Sequence, residues 1–196
     1  GMVSATIPDY RAATHAVNRD LDHLRSLGVA IRHNQEVGRD ISLESLRADG
    51  FSSIVIAVGA RRGLRLGIEG EESHGVFDGL DFLRAARAGS PPSLGKKIGV
   101  IGGGDVAMDC SRTACRLSDG EVTVVYRRTR AEMPAQKEEL LDLFEEGGRL
   151  EELMSPHRVI ATEGRLTAVE MAAMRLGEPD DSGRRRPEPI PGAKRE

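Results

Sequence analysis

The 196-residue sequence contains no tryptophan, and aromatic residues make up only 3% of it. Basic residues are not in excess either, because the net charge is −3. A protein that binds nucleic acid needs a basic surface, and one that binds single strands usually also presents aromatic stacking platforms, so composition argues against this class. The sequence shows no apolar run of membrane-spanning length and no secretion signal, so we expect a cytoplasmic protein without a membrane span.

Cysteine and histidine are also too few and too scattered to form a metal site. Cys110 and Cys115 lie in one predicted helix, where their spacing points the two side chains in different directions. We therefore predict two small buried residues rather than a disulfide or a metal pair. None of the five histidines shows the His-Glu-x-x-His spacing of a zinc site.

The most informative stretch is a run of three glycines that follows a short apolar segment, residues 98–101. A strand, a glycine turn and a helix in this order are typical of a dinucleotide-binding unit with the G-x-G-x-x-A spacing. The small residues permit a tight turn, a close approach to the pyrophosphate and close packing of the helix on the strand. The first N–H groups of the helix would then face the phosphates. The predicted phosphate-binding residues are Gly102, Gly103, Gly104, Asp105, Val106 and Ala107.

The surrounding sequence supports this prediction. A largely apolar helix is predicted to end near Ser118, and residues 121–126 are typical of a buried parallel strand. Strand, turn, helix and second strand fit within about 30 residues, as a βαβ unit requires. The alternative is a glycine-rich turn in an ordinary α/β protein.

The end of the second strand indicates which nucleotide binds. An NAD-specific unit places an Asp or Glu there, which accepts a hydrogen bond from the ribose 2′-hydroxyl. Here Tyr126 is followed by Arg127, Arg128 and Arg130, and guanidinium groups suit a 2′-phosphate. NADP(H) is therefore favoured over NAD(H), and Arg128 could stack on the adenine. The alternative is a solvated basic loop.

The remaining sequence predicts short helices and strands on both sides of this unit. Ser42 is the expected N-cap of a helix, and the helix over 135–146 is predicted to turn Leu140, Leu141 and Phe144 inward. The tail 178–186 is expected to be a long turn or disordered, with its arginines in solvent. Further helices are predicted over 12–27, 43–49 and 80–88, and further strands over 29–32, 53–60, 150–154, 158–162 and 166–171.

Two of these features lack expected partners. The strand at 53–60 has the composition of one buried on both faces, yet too few strands precede residue 96 to cover its edges. The hairpin at 158–176 is followed by a tail in which no closing strand is predicted. We therefore expect a segment of a larger protein.

Several motifs together resemble the small (beta) subunit of NADPH-dependent glutamate synthase and its relatives. The resemblance rests on residues 100–109 and 124–135, and it extends to residues 7–11, 38–42, 57–60, 66–71 and 78–83. It implies two nested dinucleotide-binding domains, one for FAD and one for NADP(H). The implied fold class is α/β, with a Rossmann-like βαβ domain and a β-hairpin or meander, preceded by part of an FAD-domain α/β layer.

The resemblance also divides the chain and assigns two further residues. Residues 1–93 would be a partial FAD-domain segment with a linker, and residues 94–196 a C-terminally truncated NADP(H) domain. Val37 and Gly59 match positions that approach FAD in the family. FAD is expected in the parent protein rather than in this segment, which carries no upstream FAD fingerprint.

The implied activity is hydride transfer from NADPH to FAD, and electron transfer onward to an iron–sulphur centre or a large partner subunit. The cofactors carry this chemistry, so no catalytic side chain is predicted. The segment alone is expected to be inactive. The alternative function is a non-catalytic dinucleotide-sensing regulatory module, which needs no flavin.

Overall fold

The computed structural model describes residues 1–60, 62–181 and 183–195. The helices are α1 (Met2–Ala5), α2 (Thr14–Ser26), α3 (Leu43–Ala48), α4 (Gly79–Arg87), α5 (Asp105–Leu117) and α6 (Lys137–Glu145), with a 3-10 turn at Arg130–Glu132. The strands are β1 (Lys97–Ile101), β2 (Glu121–Tyr126), β3 (Arg149–Glu152), β4 (Met154–Thr162), β5 (Arg165–Pro179) and β6 (Arg185–Arg195). In this part of the chain, no helix has both the length and the apolar character needed to cross a bilayer.

The first sheet is parallel, in the order β1-β2-β3, with α5 and α6 in the two crossover connections. Ile98 pairs with Val122 and Val100 with Val124. Strand β2 is central and largely buried because its β-branched residues are covered on both faces. The predicted βαβ unit and the α/β class are therefore confirmed.

Helix α5 lies at the centre of the packing. On one side Cys110 and Ala114 join Phe82 and Leu83 of α4 in a cluster that includes Val122. Another part of α5 packs Met108 against Val124 and Leu143, which are fully buried. Burial of one such side chain contributes about 1.5–3 kcal/mol.

The prediction for the inner face of α6 was only partly right. Leu140 packs against the core cluster, but Leu143, which was not predicted, is the fully buried residue. Leu141 is 59% exposed and Phe144 37% exposed, so their predicted inward orientation was wrong. Leu140 and Leu143 form one helical stripe and Leu140, Leu141 and Phe144 form another. The position of α5 and β2 decides which stripe is buried.

The second sheet is an antiparallel meander in the order β4-β5-β6. The predicted first hairpin is confirmed, and Glu163 and Gly164 both have positive φ, 51° and 74°, as a two-residue type I′ turn requires. The predicted tail without a closing strand was wrong, because Arg185–Arg195 pairs with β5 as β6. The prolines of this segment argued against a strand because proline has no N–H to donate. An edge strand tolerates them, since it needs hydrogen bonds on only one side.

Two predicted strands are absent from the described residues. Residues 29–32 and 53–60 have no strand pairing, and Val55 and Val58 are 87% and 79% exposed. An apolar run forms a buried strand only where neighbours supply hydrogen bonds on both edges, and none of the described strands pairs with these segments. The predicted strand at 150–154 is also divided, since Leu153 (φ 57°) separates β3 from β4.

The predicted helices before the glycine turn are confirmed as α2, α3 and α4. Ser42 caps α3 as predicted, because its hydroxyl accepts a hydrogen bond from the Ser45 N–H at 3.0 Å. Asp78 caps α4 in the same way, and its carboxylate accepts from the Leu80 N–H at 2.9 Å. A cap can be recognised in the sequence because its hydrogen bonds are made within the first turn of its own helix.

The N-terminal strap, residues 1–14, is held against helices α4, α5 and α6 by two arginines. Arg87 of α4 donates to the backbone oxygens of Ser4 and Ala12. Arg11 of the strap pairs with Asp109 of α5 at 2.9 Å and with Glu139 of α6 at 3.2 Å. The strap therefore lies on the two helices that flank β2.

Leucine truncations on α6 test which of its faces is buried. We expect Leu143→Ala to lower the free energy of unfolding by about 2–5 kcal/mol, because it leaves a cavity beside Met108 and Val124. Leu141→Ala, the matched control, should change it by less than about 0.5 kcal/mol. Urea unfolding followed by circular dichroism measures both. Equal losses would contradict the described orientation of α6.

Candidate functional site

The glycine turn connects β1 to α5 at the carboxyl end of the parallel sheet. Gly102 has φ 142°, a conformation that side-chain-bearing residues rarely adopt. Its N–H donates to the Val125 carbonyl at 3.1 Å, and the Gly103 carbonyl accepts from the Ala135 N–H at 3.1 Å. The turn is thus held between the end of β2 and the segment that leads into α6.

The turn presents a row of unpaired backbone donors. Within the part of the chain that the structure describes, the N–H groups of Gly103, Gly104, Asp105 and Val106 have no hydrogen-bond acceptor. The last two belong to the first turn of α5, where the helix dipole adds partial positive charge. Consecutive unpaired N–H groups at a helix N-terminus form a binding site for an anion such as a phosphate.

The three glycines meet different steric constraints. A Cβ on Gly103 would lie 2.6 Å from the Tyr126 ring, so this position admits no side chain without a shift of the ring. A Cβ on Gly104 would meet only Pro134, at 3.8 Å, so the protein leaves space there. Sequence reasoning missed Tyr126, which supports the turn and donates from its hydroxyl to the Glu132 carbonyl at 3.0 Å. Its place at the strand end next to the turn was the available signal.

The three predicted arginines have three different environments. Arg127 is exposed, and its guanidinium has no hydrogen-bond or ion-pair partner among residues 1–60, 62–181 and 183–195. Arg130 pairs with Glu152 at 3.3 Å. Burial would raise the pKa of Glu152, but hydrogen bonds from Arg130 outweigh it and lower that pKa. Arg128 is buried, with 4% of its surface exposed, and bonds to Asp180 and to the Arg185 carbonyl.

The structure brings the glycine turn and the end of β2 together at one edge of the sheet, as predicted from the motif. It places the predicted flavin contacts Val37 and Gly59 in two other segments, both exposed. Val37 pairs with Ile41 in an isolated bridge, and Gly59 lies in the unpaired segment 53–60. The described residues therefore do not form an enclosed flavin site.

A network of charged side chains joins α5 to α6 and to the N-terminal strap. Arg112 of α5 is buried and pairs with Glu139 at 2.6 Å and with Glu146 at 2.8 Å. Burial raises the pKa of Asp109, although the hydrogen bond from Arg11 opposes this shift. The cationic groups of the network are paired with carboxylates, although Glu146 Oε2 and Thr113 Oγ1 are buried without a hydrogen-bond partner among the described residues.

The described residues of this region do not favour a cysteine nucleophile or a metal site. Burial raises the pKa of the Cys110 thiol to about 12, so it stays protonated at neutral pH and is a poor nucleophile. Within the described part of the chain, no group of three His, Cys, Asp or Glu residues is placed to hold a metal ion. The unpaired backbone donors of the turn are the groups in this region whose chemistry suits a ligand, and that ligand would be an anion.

Comparisons with known proteins agree with this geometry. The family described as pyridine nucleotide-disulphide oxidoreductase matches residues 15–149. The NADPH-Fe(3+) oxidoreductase subunit beta of Geobacter sulfurreducens is 46% identical over 98% of this chain and 29% of its own length. The NADP(+)-dependent formate dehydrogenase subunit beta of Moorella thermoacetica is 42% identical over 98% of this chain and 27% of its own length.

A third relative, the small chain of glutamate synthase [NADPH] of Escherichia coli, is 32% identical over 98% of this chain and 43% of its own length. The chain thus spans less than half the length of these relatives. Among solved structures, Mycobacterium tuberculosis FprA in complex with NADPH superposes with a TM-score of 0.79 at 18% identity. The match covers 100% of this chain and 58% of FprA, and it shows a shared fold.

Alanine substitutions at Gly103 and Gly104 test how closely the protein packs around each of these two glycines. We expect Gly103→Ala to lower the free energy of unfolding by about 1–3 kcal/mol, because the new methyl group overpacks against the Tyr126 ring. Gly104→Ala should leave stability within about 0.5 kcal/mol of the wild type. Thermal unfolding measures both, and a loss for Gly104→Ala as large as that for Gly103→Ala would contradict the described turn.

Proposed function

The chain belongs to the pyridine nucleotide-disulphide oxidoreductase family, and we propose that it is the NADPH-binding part of a flavin-dependent oxidoreductase. The observation that carries the proposal is the row of four unpaired N–H groups at Gly103–Val106. A dinucleotide pyrophosphate is an anion of the size and charge that such a row binds. Gly104 leaves space for its approach, while Gly102 and Ala107 keep the turn tight against the strand.

The choice of NADP(H) over NAD(H) rests on Arg127. Its guanidinium is exposed just beyond the end of β2, where the ribose 2′-substituent lies in a dinucleotide-binding unit. No carboxylate occupies residues 126–130, where an NAD-specific unit would place one to accept from a 2′-hydroxyl. Arg130 carries a second cation nearby, already paired with Glu152. The names of the three relatives, each of which specifies NADPH or NADP(+), support the same choice.

Bound NADPH supplies a hydride, and this chain's residues bind and orient the nucleotide. We propose that residues 94–196, which contain both sheets, form the NADP(H)-binding domain. Residues 1–93 would be a partial FAD-domain segment and linker that packs onto it through α4 and the N-terminal strap. FAD would be the second cofactor of the whole protein, because the family consists of flavin-linked enzymes.

The electron acceptor of the whole protein is proposed to be an iron–sulphur centre or a partner subunit. Two relatives are beta subunits and a third is a small chain, so each works beside another subunit. The exposure of Val37 and Gly59 favours a second candidate, a non-catalytic dinucleotide-sensing module. Loss of flavin absorbance on addition of NADPH to the full-length protein supports the oxidoreductase, and nucleotide binding without flavin supports the sensor.

Nucleotide titration of the chain tests its specificity. We expect NADP+ to bind more tightly than NAD+, and Arg127→Gln to weaken NADP+ about 10- to 100-fold, because a hydrogen bond to a charged group contributes about 1.5–3 kcal/mol. NAD+ affinity should change little, because NAD+ lacks the 2′-phosphate. Isothermal titration calorimetry measures all four dissociation constants.

The control removes another exposed arginine far from the site. Arg165 begins β5, roughly 46 Å along the strand from Pro179, the residue before Asp180, at about 3.3 Å per residue. Arg165→Gln should leave both affinities unchanged. Tighter binding of NAD+ than of NADP+ by the wild type would overturn the specificity, and binding of neither would overturn the function.

A further inference from the structure

The guanidinium of Arg128 joins the end of β2 to the β5–β6 hairpin. Its Nε donates to the Arg185 carbonyl at 2.7 Å, and its Nη2 bonds to the Asp180 carboxylate at 2.5 Å. Asp180 and Arg185 lie on the two sides of the turn between β5 and β6, and the Asp180 N–H also donates to the Arg184 carbonyl at 2.8 Å. The Arg128 side chain therefore bonds to a residue on each side of this turn.

The backbone of Arg128 makes a second connection at the same place. Its carbonyl accepts from the Leu153 N–H at 3.1 Å, and the Leu153 carbonyl accepts from the Met174 N–H at 2.8 Å. Leu153 is the positive-φ residue between β3 and β4. The parallel sheet and the antiparallel meander thus meet through residue 128.

Arg127 and Arg128 differ in what a ligand can reach. Arg127 is exposed, whereas Arg128 is 4% exposed, so a nucleotide would contact the Arg128 guanidinium only by displacing the hairpin. A buried guanidinium is stable only where acceptors surround it, and the Asp180 carboxylate with the Arg185 carbonyl supplies them. Arg127 is therefore accessible to a ligand, whereas the adjacent Arg128 is occupied by the hairpin.

We infer that Arg128 is a positioning residue for nucleotide specificity: it holds the Asp180–Arg185 turn against the end of β2 and so fixes the backbone from which Arg127 meets the 2′-phosphate. Asp180 and Arg185 then lie beside the adenosine end of the site. This inference rests on the proposed binding of NADP(H). It assigns a specificity role to Asp180, a carboxylate that cannot itself bind a phosphate.

The sign of the effect at Asp180 is the test. If Arg128 acts through the hairpin, Asp180→Asn weakens NADP+ binding about 2- to 30-fold, the range expected for a coupled residue without ligand contact. If Arg128 binds the phosphate directly, removal of a nearby negative charge strengthens NADP+ binding instead. Calorimetric titration of the whole chain with NADP+ and NAD+ distinguishes the two results.

Three further variants complete the experiment. Arg128→Gln should weaken NADP+ binding by a similar factor, and the double variant with Asp180→Asn should be no weaker than Arg128→Gln alone, because both changes break one linkage. Glu188→Gln is the matched control, since it removes the same charge from the same hairpin and its partner is Arg175 at 3.1 Å. It should leave both affinities unchanged.

Hydrogen exchange supplies a readout that needs no nucleotide. The amide protons of Gly183 and Arg184 should exchange faster in Arg128→Gln than in the wild type, because the turn loses its attachment. Unchanged exchange, or tighter NADP+ binding by Asp180→Asn, overturns the inference while leaving the wild-type preference for NADP+ intact. A wild type without that preference overturns the proposed specificity, and a wild type that binds neither nucleotide overturns the proposed function itself.

Discussion

The burial of α5 against β2 is the contact on which the rest of the molecule depends. Met108 and Val124 are both fully buried at this interface, and α4 and α6 pack against the same helix. The position of α5 fixes the direction of its N-terminus, and that direction aims the glycine turn and its unpaired N–H groups. Apolar packing within the core thereby sets the geometry of the proposed phosphate site.

Ion pairs between the N-terminal strap, α5 and α6 make this packing more specific. Arg11, Arg112 and their carboxylate partners join the N-terminal strap, α5 and α6, and each member is at least partly buried. A buried ion pair contributes little net stability, but it penalises arrangements that leave one partner alone. The network therefore selects one placement of the strap over others. Arg128 does the same for the β5–β6 hairpin at the end of β2.

Exposure divides the roles within the site. Tyr126 constrains Gly103, whereas Gly104 has open space around its Cα, although both are glycines of one turn. Arg127 is exposed and Arg128 is buried, although they are adjacent and chemically identical. In both pairs the neighbours from distant parts of the chain make the difference, because a side chain's reach and solvation depend on what surrounds it. The exposed apolar residues of 53–60 show the same principle, since that run matches a buried strand and lacks the partners to become one.

The sequence by itself determined the features that depend on near neighbours. The βαβ unit, the capped helices α3 and α4 and the Glu163–Gly164 turn follow from local periodicity, capping hydrogen bonds and the φ > 0 demands of a tight turn. Only the tertiary structure decided that Leu143 rather than Leu141 is buried, that Arg185–Arg195 forms a strand, and that Arg128 is enclosed. Each of these depends on contacts between residues far apart in the chain. A local sequence pattern does not specify which distant residues will pack against it.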